Sequence, residues 1–161
     1  MRLPSLAATA ALAILVGAAL TGCSTTVNLE PAEGAEDPAC AEVTVRLPGS
    51  VADQPRLWTD AQATGAWGAQ TSSVLLRCGV TPPGPTEAKC ITLGGVDWVV
   101  DESQAPRYLV TTYGRVPAVE VFIDNETVSP NDVLSALGVA VSAGTTSERA
   151  CTLTETLVPE D

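Results

Sequence analysis

The sequence predicts an α+β domain: a mainly antiparallel sheet with one or two helices packed on one face, stapled by two disulfides. Short runs with alternating apolar and polar residues recur between residues 41 and 123, which is the period of a half-buried strand. A segment opening at Ser129-Pro130 carries apolar residues at helical spacing. Four cysteines, Cys40, Cys78, Cys90 and Cys151, remain once Cys23 is set aside. Strands and helices in the order βαβββββαβ point to that class.

Taken in order, Ala41 to Leu47 alternates, with Val43, Val45 and Leu47 against Glu42, Thr44 and Arg46, and is expected as a strand. Thr59-Asp60-Ala61-Gln62 has the form of a helix capping box, with Trp58 ahead of it as a staple. Ser73 to Val80 is a nearly continuous apolar run, hence another strand. Ile91 to Leu93 precedes Gly94-Gly95, a hairpin signal, and in the next strand Val96, Trp98 and Val100 share one face. Arg107 to Tyr113 and Ala118 to Ile123 form a further pair, joined across Gly114 to Pro117, with Val119, Val121 and Ile123 facing the core. Ser129 as N-cap, Pro130 at the first helical position and Asp132 in the first turn then open a helix. Val133, Leu134, Leu137 and Val141 give that helix its apolar stripe, and a last short strand is expected around Cys151.

The chain begins differently. Arg2 is followed by an uncharged Ala- and Leu-rich stretch from Leu6 to Leu20, too short for a membrane span and suited to a signal-peptide core. Leu20-Thr21-Gly22-Cys23 resembles a bacterial lipobox: an aliphatic residue, two small residues and the cysteine that is lipidated and becomes the new N-terminus. Residues 1–22 are therefore expected to be a signal peptide, and Cys23 the lipidation site. Two or three acyl chains, palmitate among them, anchor a protein stably because each buried CH₂ contributes roughly 0.8 kcal/mol. Residues 23–39, acidic and carrying Pro31, Gly34 and Pro38, are expected as a disordered tether. The folded domain is placed at 40–153, with an acidic tail at 154–161.

Cleavage before Cys23 removes Arg2, leaving 7 basic residues against 19 acidic ones and a net charge of −12 in place of −11. So acidic a surface argues against nucleic acid and against anionic head groups. The four cysteines of the exported domain are expected as disulfides in an oxidising compartment. Three pairings exist. The preferred one joins Cys78 to Cys90 across the proline-rich segment, and Cys40 to Cys151 between the ends of the domain. Zinc sites use closer cysteine pairs, usually with histidine; this chain has no histidine, and no metal or cofactor is expected.

Catalytic signatures are scarce. The commonest general base is missing with histidine, the only lysine is Lys89, and GxSxG, P-loop and GxGxxG patterns are absent. Asp97 and Asp101, four positions apart on one strand face, are about 13 Å from each other, too far for paired acid–base work on a glycoside, although Glu120 on a neighbouring strand could come closer. Asp124-Asn125-Glu126 with Asn131-Asp132 lacks calcium-loop spacing. The residues most like a binding surface are Arg77, Trp98, Arg107, Tyr108, Tyr113 and Arg115, because arginines beside aromatics can grip a carboxylate or a sugar face.

Several longer segments carry a family resemblance: Ala66-Trp67-Gly68, Leu75 to Pro85 (LLRCGVTPPGP), Gly95 to Asp101 (GVDWVVD), Thr112 to Val121 (TYGRVPAVEV) and the PNDVL run at Pro130. Together they resemble the actinobacterial lipoprotein family catalogued as domain of unknown function 3515. The resemblance implies an exported or lipid-anchored protein of the cell envelope, and it transfers no catalytic residue. The expected role is a non-enzymatic binding or assembly module on the extracytoplasmic face of the cell membrane. Its partners would be the membrane, through the lipid, and a cell-wall component or membrane-associated protein. The alternative is a carboxylate-based cell-wall hydrolase or transferase.

Overall fold

The computed structural model describes residues 26–69 and 71–152. Cys23, the signal segment 1–22 and the acidic tail 154–161 lie outside the described residues. The strands are β1 (Thr26–Val27), β2 (Ser50–Val51), β3 (Gln54–Thr59), β4 (Thr64–Gly68), β5 (Ser72–Val80), β6 (Cys90–Leu93), β7 (Val96–Gln104), β8 (Arg107–Thr112), β9 (Arg115–Val116), β10 (Ala118–Asp124) and β11 (Thr146–Ser147). The helices are α1 (Pro38–Thr44) and α2 (Pro130–Gly144).

The predicted α+β class is overturned. Strands take 43% of the described chain and helices 17%, so the molecule is dominated by its sheet. One nine-stranded sheet runs β1-β3-β4-β5-β10-β8-β7-β6, with β2 also pairing β3, and β9 and β11 form a separate small ribbon. The large sheet is mixed, because β1 lies parallel to β3. Three segments depart from their expected structure.

Ala41 to Leu47 is not a strand. Asp37 accepts a hydrogen bond from the Ala39 N–H at 2.8 Å, Pro38 occupies the first helical turn, and α1 follows. The buried residues Cys40, Val43 and Leu47 recur at helical spacing, whereas Val45, which the alternation placed in the core, is 76% exposed. Nor does the Thr59–Gln62 box open a helix. Its side chains go elsewhere: Thr59 Oγ1 meets Thr64 Oγ1 at 2.8 Å, Asp60 accepts from the Leu29 N–H at 2.9 Å, and Gln62 donates to the Ala35 carbonyl at 3.2 Å. These bonds make a tight β3–β4 connection and hold the N-terminal segment against it.

That segment is the third misreading. The expected tether 23–39 belongs to the fold from Thr26 onward: β1 pairs with β3, and Ala35 is buried. Gly34 donates its N–H to the Gly79 carbonyl at 2.9 Å. Gly79 has φ +94°, and a Cβ there would fall 2.3 Å from the Gly34 carbonyl carbon, so only glycine admits this approach.

The disulfide pairing also differs from the expected one. Cys40 bonds Cys78, and Cys90 bonds Cys151, at Cα separations of 5.5 and 5.9 Å. Cys78 and Cys90 sit on strands four steps apart in the sheet order. At about 4.8 Å per step they are separated by roughly 19 Å, far beyond the span of a disulfide. Cys78 instead faces α1, while Cys90, on the edge strand β6, meets the chain as it leaves β11.

The core gathers Trp67, Val74, Leu76, Trp98, Val110, Val121 and Ile123 from the strands with Val43, Val133, Leu134, Leu137 and Val141 from the helices. Both buried indoles are satisfied: Trp67 donates to the Pro48 carbonyl at 3.0 Å and Trp98 to the Leu93 carbonyl at 3.1 Å. Among the described residues no buried side-chain nitrogen or oxygen lacks a partner. The predicted helix after Ser129 is present as α2, with Ser129 as its N-cap. The Gly94-Gly95 turn between β6 and β7 rests directly on it. A Cβ on Gly138 would lie 2.2 Å from the Gly94 carbonyl oxygen, so a bare backbone is needed where hairpin and helix meet.

Candidate functional site

Residues paired across a sheet share a face, so the register defines what the sheet shows on the side away from the helices. Leu75 pairs with Phe122, Phe122 with Leu109, and Leu109 with Asp101. One step along, Arg77 pairs with Glu120, Glu120 with Thr111, and Thr111 with Val99. Two rows therefore run side by side, one largely apolar and one polar. Leu75 and Phe122 are half-buried, and Leu109 is 37% exposed.

The Arg77 guanidinium donates to Glu120 Oε1 through Nε at 3.1 Å and through Nη2. The arginine side chain is 39% exposed and the glutamate 16%, which places the pair at the water boundary. Two depressions meet over it. One, of about 340 Å³, is bounded by Asn28, Leu29 and Glu30 and floored by Leu75, Leu109 and Phe122. The other, of about 390 Å³, lies between Pro31–Glu33 and Val80–Pro83, with Thr111 in its floor. Both include Arg77 and Glu120, so they form one groove with the ion pair at its middle. The segment at 28–33 supplies one wall, held by the Leu29–Asp60 and Gly34–Gly79 hydrogen bonds. Beyond Leu109 and Phe122 a smaller hollow of about 80 Å³ reaches Asp101 and Arg107. Hydrogen bonds from Ser103, its side chain first and its backbone N–H second, hold the Asp101 carboxyl below its usual 3.8.

The six residues singled out from sequence do not converge. Arg77 lies in the groove and Arg107 at its far end. Trp98 is a fully buried core residue. Tyr108 turns to the helix side, lining a separate depression with Lys89, Glu102 and Pro130, and also borders the small hollow beside Arg107. Tyr113 lies beside the Cys90–Cys151 bridge. Arg115 is engaged in the fold: it donates to the Thr145 carbonyl at 3.2 Å, where α2 ends, and to the Gly95 carbonyl at 3.2 Å.

The carboxylates sort in the same way. Asp97 accepts from Thr92 Oγ1 at 2.6 Å and from the Cys151 N–H at 2.8 Å, which fixes the C-terminal segment to the edge of the sheet. Asp124 accepts from the Glu126 N–H at 3.1 Å and shapes the turn ahead of α2. Among the described residues no three His, Cys, Asp or Glu side chains are grouped to hold a metal. Glu33 and Glu120, however, line one depression.

A family match spans this whole arrangement. The chain belongs to the family described as protein of unknown function DUF3515, over residues 4–150. No curated protein and no solved structure matches it. The match covers both walls and the floor of the groove, and the family's description assigns no activity.

Sequence reasoning missed Leu75, Leu109, Phe122, Thr111 and the wall at 28–33. A signal was available: Leu75 and Phe122 are large apolar residues at outward-pointing positions of strands whose alternate positions already fill the core. The wall carried no signal, because short acidic segments with proline read as tethers.

Proposed function

We propose that this protein is a lipid-anchored module on the extracytoplasmic face of the cell membrane. It binds a cell-wall component or a membrane-associated protein and does not turn it over. The anchor is read from Leu20-Thr21-Gly22-Cys23 and the apolar stretch before it. The observation that carries the binding role is the groove: a ligand-sized depression with an apolar floor and one water-accessible ion pair at its centre. A guanidinium has five donors, and Arg77 gives Nε and Nη2 to Glu120. A ligand carboxylate or hydroxyl can therefore be gripped beside Glu120 without breaking the pair, while Leu75, Leu109 and Phe122 take up apolar surface.

The test is a photo-crosslinking residue placed in cells at Thr111, in the groove, and at Val139, 76% exposed on α2. Thr111 is expected to capture one defined species, and Arg77→Ala to weaken its binding about tenfold, or about 1.4 kcal/mol. Equal capture at both positions would sink the proposal. Glu33 and Glu120 lining one hollow favour a second reading, a carboxylate-based wall hydrolase. That reading requires turnover of purified wall fragments by the full mature chain and its loss on Glu120→Gln.

A further inference from the structure

We infer that Trp58 lies in the head-group region of the membrane, so that the N-terminal lipid and one indole together set how the domain sits on the bilayer. This rests on the proposed lipid at Cys23.

The chain has three tryptophans. Trp67 and Trp98 are 0% exposed and hydrogen-bonded in the core, whereas Trp58 is 74% exposed. Its place in the fold is specific. In the parallel pairing of β1 with β3, Trp58 stands opposite Thr26. Only Ser24 and Thr25 separate Thr26 from Cys23. Three residue steps span at most about 11 Å, and the step between paired strands adds about 4.8 Å. The backbone of Trp58 is thus within roughly 16 Å of the lipidated residue. A flexible tether of seventeen residues would have left the domain free to turn; docking of β1 removes that freedom.

The polar zone on each side of a bilayer is roughly 5–8 Å thick, and tryptophan favours it because the ring is apolar and its N–H can meet head groups and water. Charge decides which membrane suits. With −12 on the mature chain, an anionic surface repels the body of the domain, so contact is strongest on zwitterionic lipid.

The full mature protein, acylated and placed in phosphatidylcholine vesicles, supplies the test. Trp58 emission is isolated as the difference between wild type and Trp58→Phe, since the other two indoles are buried and report that the variant is folded. The expected result is a blue shift relative to the lipid-free chain, quenching by phosphatidylcholine brominated near the head group, and loss of quenching by aqueous iodide. Replacing part of the lipid with phosphatidylglycerol reverses these changes in part. If Trp58 stays open to iodide while mass spectrometry finds acylated Cys23 and the protein floats with the vesicles, the inference fails and the anchor stands. If Cys23 carries no acyl chain, both fall. Shielding that appears without lipid and grows with protein concentration would assign the indole to a second copy and overturn the inference.

Discussion

Leu75 and Leu76 are neighbours on β5 and face opposite worlds. Leu76 is fully buried among Trp67, Val121 and the helices; Leu75 looks out over the groove beside Arg77 and Phe122. The inner face of the sheet is packed around Trp67, Leu76, Trp98, Val110, Val121 and Ile123, all at most 1% exposed, and both buried indoles have partners. The outer face mixes leucine, phenylalanine and an ion pair under a wall made of the first described residues. One sheet thus carries a side built for stability and a side with binding-site composition. The difference shows where the chain's outward apolar residues are not accounted for by folding.

The largest expected effect tests that contrast directly. Leu76→Ala removes a packed side chain and costs about 2–5 kcal/mol, whereas Leu75→Ala costs about 1 kcal/mol or less. Urea unfolding of the two variants measures both, and equal losses would mean the outer face is as structural as the inner one.

The disulfides sharpen the comparison. Loop entropy alone makes each worth roughly 4 kcal/mol, and slightly more for Cys90–Cys151, whose separation is 61 residues against 38. Cys40 and Cys78, however, are 0% exposed within the core, so their double alanine variant also leaves a void. It should unfold more readily than the Cys90→Ala, Cys151→Ala variant, despite closing the shorter loop. The reverse order in thermal melts would show that packing around α1 contributes little.

The smallest effect concerns acid. The Asp101 carboxyl is held below its usual 3.8 by hydrogen bonds from Ser103. A lowered folded-state value stabilises the protein above the unfolded value, and that contribution is lost as pH falls through the folded one. Asp101→Asn should therefore flatten the acid limb of a stability–pH curve by slightly lowering stability at neutral pH, the two curves meeting below the folded-state value. An unaltered limb would show that the Ser103 bonds do not persist in solution.

Much of the strand pattern was legible because alternation is local. The Gly94-Gly95 hairpin, the core-facing Val119, Val121 and Ile123, and the helix after Ser129 each depend on a few adjacent residues. Alternation failed at Ala41 to Leu47, where three apolar residues fit two periods and the cap at Asp37-Pro38 decided for the helix. The capping box at Thr59 failed because its side chains had distant partners, Leu29 and Ala35. Of the six proposed ligand residues, Arg77 and Arg107 line the outer face, since residue type alone does not tell a ligand arginine from one that holds a helix end, as Arg115 does.

By itself the sequence determined the pattern of Leu20-Thr21-Gly22-Cys23, the family, the four remaining cysteines and most strand positions, because each is written in neighbouring residues. Only the tertiary structure decided which cysteines pair, that residues 26–39 are part of the fold, and that Arg77 meets Glu120 over Leu75, Leu109 and Phe122. Those outcomes depend on the order of strands in the sheet, and that order is set by burying one face of the whole sheet at once, which no local pattern records.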